Sequence, residues 1–260
     1  MSEEIDKKAA EWLNRTMGVR RRVSPRIAEA FRDADDIVVD TPVGRVQAWR
    51  LGEGPAVMLV HGWEDDHALW GPLIGAFQQM GRAVIALDLP GHGVTESEDS
   101  TQEGGMLAVQ AVAKELGPID AIVGHSFGCA VTGMALANGL DAERAVFIAA
   151  PINSRVEPKG RTDEERAVFE RAMQMYEERF GRKLGGRFDF VSVAPTMTAK
   201  ALFVHSVDDD QCPVGPVQDV VELWPGAEIL LADGLGHRLI AQDADVLTQI
   251  VEFVEGFPPR

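Results

Sequence analysis

From Ala56 onward the chain repeats one pattern, a short apolar run followed by a longer amphipathic stretch. The runs are Ala56 to Val60, Ala83 to Leu87, Ile119 to Val123, Ala145 to Ala149, Ala201 to Val204 and Glu228 to Leu231. Helical stretches lie near Trp70 to Met80, Gln102 to Leu116, Cys129 to Ala137, Val214 to Trp224 and Asp243 to Glu255. Uninterrupted apolar runs of this length read as strands buried on both faces. Strands that alternate with helices are parallel, because parallel neighbours need crossovers and crossovers cover the faces. The expectation is an α/β fold, a mainly parallel sheet with helices on both sides. Ahead of it, Ile37 to Thr41 and Arg45 to Leu51 flank Pro42-Val43-Gly44 and read as an antiparallel hairpin. With 45% hydrophobic residues among 260, the chain can bury a large core.

Two segments stand outside the rhythm. Residues 1–36 form a helical arm, with Ile5, Ala9, Trp12, Leu13 and Met17 at helical spacing and a second helical stretch through Ile27, Ala30 and Phe31. The arm reads as packing on the main domain; a contact between copies of the chain is the other reading. Residues 151–196 hold no core strand, but Thr162-Asp163-Glu164-Glu165 is a capping box that opens a helix running to Gly181. Its apolar face is Phe169, Ala172, Met173, Tyr176 and Phe180. Inserted over the strand ends, such a helix is a lid; an ordinary crossover helix is the alternative. The core then comprises residues 37–150 and 197–260.

The run at 119 leads into Gly124-His125-Ser126-Phe127-Gly128. A strand that reverses abruptly into a helix brings main chain close on both sides of the serine, where a Cβ would clash, and the turn pushes the hydroxyl into the open. A serine hydroxyl becomes a nucleophile only when a base takes its proton and an acid supports that base. Both types occur later, each just after a strand. His205-Ser206-Val207-Asp208-Asp209-Asp210-Gln211-Cys212-Pro213 offers three adjacent acids, and Asp233-Gly234-Leu235-Gly236-His237 offers the only histidine beyond them.

On His61-Gly62-Trp63, Asp88-Leu89-Pro90-Gly91-His92-Gly93, the serine pentapeptide, the aspartate loop and Gly236-His237, the chain from about Ile37 onward resembles the α/β-hydrolase superfamily, and within it bacterial lid-bearing carboxylesterases and lipases. The resemblance implies a Ser126, Asp209, His237 triad, with Asp208 as the rival acid. It implies an oxyanion hole from the main-chain amides of Trp63 and Phe127, and a substrate pocket lined by Trp63, His92, Phe169, Met173 and Tyr176. The implied activity is cleavage of carboxylic esters of small to medium acyl chains through an acyl-enzyme, without cofactor or metal. Acyl transfer, thioester cleavage, cofactor-free haloperoxidase or hydroxynitrile lyase chemistry, and ligand binding without turnover are the alternatives. Because the imidazole must be neutral to accept a proton, such a site loses activity below roughly pH 6 to 7.

Charge narrows the partners. A net charge of -16 disfavours nucleic acid and anionic membranes, and Arg20-Arg21-Arg22 is the one basic run. No His-Glu-x-x-His or Gly-Lys-Ser/Thr motif occurs. Two cysteines at no metal-like spacing, an acidic N-terminus and no apolar run near 18 residues fit a cytoplasmic protein acting on a small-molecule ester.

Overall fold

An eight-stranded sheet of order β1-β2-β4-β3-β5-β6-β7-β8 carries the apolar runs. The computed structural model describes residues 3–20, 31–152 and 162–257; the arm's second stretch through Ile27 and Ala30, and Arg21 and Arg22, lie outside them. The strands are β1 (Asp35–Thr41), β2 (Gly44–Leu51), β3 (Ala56–Val60), β4 (Ala83–Leu87), β5 (Ile119–His125), β6 (Arg144–Ile148), β7 (Lys200–Ser206) and β8 (Ala227–Ala232). β1 and β2 form an antiparallel hairpin, β2 joins β4 antiparallel, and every later pair is parallel.

Burial follows the period of two that a sheet covered on both faces requires. In β3, Met58 and Val60 face one core layer and Val57 and Leu59 the other. The first layer is closed by α3 (Gln102–Leu116), α4 (Phe127–Ala137) and α7 (Gly215–Leu223), through residues such as Val109, Val131 and Val220. The second is closed by α2 (Gly71–Gln79) and α9 (Ala244–Val254), through Phe77, Leu73 and Ile250.

Register sets the working edge. Val60 pairs with Leu87 and with Gly124, His125 with Ile148, and Ser206 with Ala232, so the loops after β3, β4, β5, β7 and β8 leave the sheet on one side. The chain crosses from β4 on one flank of β3 to β5 on the other. Such reversals of strand order are where open α/β sheets leave a crevice.

Over part of this edge lie α1 (Glu3–Met17) and α5 (Asp163–Phe180). The Thr162 hydroxyl accepts from the Glu165 amide, the Glu165 carboxylate accepts from the Thr162 amide, and Gly181 closes the helix in the left-handed region at φ 69. The apolar stripe of α1 meets α5 of the same chain: Trp12 stands edge-on to Phe169 at 5.6 Å, and Arg171 donates to Asp6 at 2.7 Å. α5 is fastened in turn to the segment before α3. The Tyr176 hydroxyl lies 3.1 Å from both oxygens of buried Asp99, which Arg182 also meets. Within residues 151–196, Phe188 and the short helix α6 (Phe190–Val193) pack into the first core layer, Phe190 edge-on to Phe147 and to Phe203.

Replacing Asp99 by alanine leaves the buried Tyr176 hydroxyl and Arg182 without their shared acceptor. The expected cost is roughly 3 kcal/mol in urea unfolding, since stripping one partner from a buried charged network forfeits more than a surface pair does. A loss under about 1 kcal/mol would show that Asp99 does not hold α5 to the core.

Candidate active site

The main chain reverses at Ser126, which sits at φ 50, a left-handed value that a residue bearing a side chain rarely adopts. Two glycines make room. A Cβ on Gly128 would lie 2.2 Å from the Val60 carbonyl oxygen, and one on Gly124 would lie 2.8 Å from the Gly128 carbonyl oxygen. The Ser126 amide donates to Ile148 at 2.9 Å, tying the elbow to β6.

His237 lies on the one-turn helix α8 (Gly236–Leu239), directly after the β8 loop. Its Nε2 is 2.9 Å from Ser126 Oγ and its Nδ1 is 2.8 Å from Asp209 Oδ2. The Asp209 side chain is buried, and its Oδ1 accepts from the amides of Gln211 and Cys212, each at 2.9 Å. Burial works against its ionised form, but the Cys212 amide and His237 outweigh burial and hold its carboxyl below the ordinary value. Asp208 does a different job: its carboxylate accepts from the amides of Gly234 at 3.1 Å and Gly236 at 3.2 Å, and from the Ser206 hydroxyl. It ties the histidine loop to the acid loop. His205 shapes the acid loop from below, its Nε2 2.6 Å from the Cys212 carbonyl.

The loop after β3 lies against the elbow. A Cβ on Gly62 would come within 3.2 Å of Ser126 Cβ, and the Trp63 ring stands 5.3 Å from that of Phe127. Neither the Trp63 nor the Phe127 main-chain N–H has an acceptor among the described residues. Two fixed donors beside a nucleophile are what a developing oxyanion requires, and the Phe127 amide opens α4, where the helix dipole is positive.

Buried histidines brace this edge. His61 Nδ1 donates to Gly62 at 2.7 Å and its Nε2 accepts from the Leu89 amide at 2.9 Å. Full burial drives its pKa down to about 3. His125, inside the pentapeptide, places Nε2 3.0 Å from the His237 carbonyl and so joins elbow to histidine loop; burial lowers it to about 4. Asp65 lies 3.8 Å from the other His125 nitrogen and 3.3 Å from Arg238. His67 Nδ1 meets Asp88 at 2.8 Å under the stacked Trp49 ring. Asp65 belongs to no motif in the sequence, and only the neighbourhood of His125 to Ser126 signals its place.

Of the lining residues read from the sequence, Trp63 and His92 stand together, their rings 5.0 Å apart. Tyr176 and Phe169 are turned elsewhere, toward Asp99 and Trp12, and serve to seat the cap; Met173 is half-buried on the same helix. Asp209, Cys212 and His237 hold ligand-type atoms within 4.8 Å of one another. Their carboxylate and imidazole are already bonded, and burial, then Asp209, pushes the Cys212 thiol up to about 12, so they make a poor metal site.

The buried histidines set a stability test. Unfolded, His61 and His125 take up protons near their ordinary value of 6.5; folded, they refuse them down to about 3 and about 4. Their contribution is full above the unfolded value and is lost as pH falls. Unfolding free energy should drop by roughly 2 to 3 kcal/mol per pH unit between about pH 6 and 5. His61→Gln should lower that slope by roughly 1.4 kcal/mol, the effect of one proton; an unchanged slope would contradict a neutral buried His61.

Comparison with known proteins agrees with this architecture. A family model described as the alpha/beta hydrolase family matches residues 57–250. An esterase from Pyrococcus furiosus superposes with a TM-score of 0.70 at 16% identity, over 91% of this chain and 98% of that one. An esterase from Exiguobacterium antarcticum gives 0.66 at 16% identity, over 85% and 100%. A meta-cleavage product hydrolase from Pseudomonas fluorescens gives 0.65 at 18%, over 85% and 97%. At these identities the likeness is one of fold. Among curated sequences, bovine protein phosphatase methylesterase 1 is 30% identical over 128 residues, 44% of this chain, and the chain spans only 33% of that relative's length. The family match runs from β3 into α9, across every loop that carries Ser126, Asp209 and His237, and on that extent the chain belongs to the alpha/beta hydrolase family.

Proposed function

We propose that this protein is a serine ester hydrolase working through an acyl-enzyme. The observation that carries the reading is the unbroken relay from Ser126 Oγ to His237 Nε2 at 2.9 Å and from His237 Nδ1 to Asp209 at 2.8 Å. His237 takes the Ser126 proton as the oxygen attacks the ester carbonyl, and Asp209 holds the imidazole in the tautomer with Nδ1–H and supports the imidazolium. The tetrahedral oxyanion sits between the amides of Trp63 and Phe127. His237 returns the proton to the departing alcohol, and water, activated the same way, releases the acid.

Substrate size follows from the cap. In this reading α1 and α5 make a short cap, and the half-buried Trp63 and Phe127 rings, 5.3 Å apart at the elbow, offer an apolar surface to an acyl group, which suits short and medium chains. The partial likeness to protein phosphatase methylesterase 1 adds methyl esters, with their small leaving alcohol, to the substrates worth assaying. The protein's acidity favours uncharged acyl groups over anionic ones.

A panel of p-nitrophenyl and methyl esters of rising acyl length tests this. Turnover should peak at short to medium chains. Ser126→Ala or His237→Ala should lose on the order of 10^4 to 10^6 in kcat, as triad members act as a unit. A fluorophosphonate should label the wild-type protein and not Ser126→Ala. Retention of most activity by Ser126→Ala would sink the assignment, and preference for long-chain triglycerides would sink the size inference.

A further inference from the structure

Arg20 is the described residue of the basic run, and its position gives the N-terminal arm a purpose. Its amide donates to the Gly91 carbonyl at 2.5 Å, bridging it to His92 on the loop after β4. Three residues earlier in the arm, the Met17 carbonyl accepts from Ser100 Oγ at 2.6 Å. The guanidinium then does two things. Its terminal nitrogens bond the carbonyls of Asn14 at 3.3 Å, Arg15 at 3.2 Å and Val19 at 3.4 Å, closing the end of α1. It also lies 5.6 Å from the centre of the Trp63 ring, while Nε sits 3.4 Å from Glu64 Oε1.

Trp63 and Glu64 are the two central residues of a turn in which the Asp65 amide donates to the Gly62 carbonyl at 3.3 Å. Glu64 occupies its third position at φ 61. Turns with a left-handed third residue favour glycine there, and a glutamate pays for that conformation. Such a turn keeps its peptide planes fixed only if its surroundings hold it. Arg20 touches both central side chains. Its own main chain is anchored to the loop whose Leu89 amide bonds His61 at 2.9 Å, just ahead of the turn. The contacts close a ring through His61, Leu89, Gly91, Arg20 and the Trp63-Glu64 pair.

We infer that Arg20 is a positioning residue that fixes the Trp63 peptide as an oxyanion donor, so that the N-terminal arm completes the active site. The inference rests on the assignment of that amide to the oxyanion hole. Loosening a donor without removing it should cost less than the 10^2- to 10^3-fold that deleting one costs.

The experiment uses the full-length protein carrying Arg20→Ala, Arg20→Lys, Glu64→Gln and the Arg20→Ala/Glu64→Gln pair. On a short-chain p-nitrophenyl ester, Arg20→Ala should lower kcat by roughly 10-fold with KM within about 2-fold, because the amide acts on the transition state. The inhibition constant of a trifluoromethyl ketone, which forms the same oxyanion on Ser126, should rise by a similar factor. Arg20→Lys keeps a cation for Glu64 and should fall between. Glu64→Gln should act in the same direction, with the double variant less than additive. Hydrogen exchange over residues 61–66, read by mass spectrometry, should speed up in Arg20→Ala, with the segment around Ser126 unchanged. A rise in KM with kcat intact, an unmoved inhibition constant, additive single effects or unchanged exchange would each overturn the inference. Absence of ester turnover and of ketone binding in the wild-type protein would instead overturn the hydrolase reading, and the exchange measurement would still judge Arg20.

Discussion

The reversal of main chain at Ser126 is the constraint on which the rest of the structure depends. A non-glycine residue at φ 50 is tolerable only where its neighbours leave no slack. Here β3 passes so close that the Val60 and His61 carbonyls occupy the space a Cβ on Gly128 would need. The same closeness puts the loop that follows β3 beside the serine. Packing at the elbow and placement of the loop after β3 are therefore one event: the backbone approach that crowds Gly128 also sets Gly62 against Ser126.

Around that point the protein uses polar groups as ties between loops that share no strand. His61 links the β3 and β4 loops, His125 links the β5 and β8 loops, and Asp208 with Ser206 links the β7 and β8 loops. The two histidine ties are buried hydrogen bonds at the edge of a low-dielectric core, where an unmade partner is costly and a made one is directional; the Asp208 tie lies nearer solvent. The histidines serve because a neutral imidazole offers one donor and one acceptor at opposite ends of a rigid ring. Burial keeps His61 and His125 neutral, so each holds its two loops without carrying a charge. The contacts from Ser126 through His237 to Asp209 are short; the framework around them spans five loops.

Much of this was legible in the chain. Uninterrupted apolar runs located the strands because both sheet faces are covered, and the Thr162 capping box and Gly181 bounded α5 to the residue. The order of serine, aspartate loop and histidine was readable because each follows a strand, though three adjacent aspartates look alike in sequence. What separates them is direction: Asp209 points its Oδ2 at His237, while Asp208 turns to the Gly234 and Gly236 amides. Less legible was any pairing that spans the chain. The stripe of α1 signalled packing but not that α5 would meet it, and Tyr176 looked like pocket lining because periodicity reports a buried face without naming what lies on it. Arg20 carried no signal beyond its charge.

The pairing of α1 with α5 joins residues 6 and 171 across six of the eight strands. A contact so distant in sequence earns its energy only after the sheet between has brought its ends together, because closing that loop in an unfolded chain has a large entropic cost. The α1–α5 pairing therefore adds its energy after the strands between have paired. Local opening that separates α1 from α5 therefore leaves the strand pairings beneath intact.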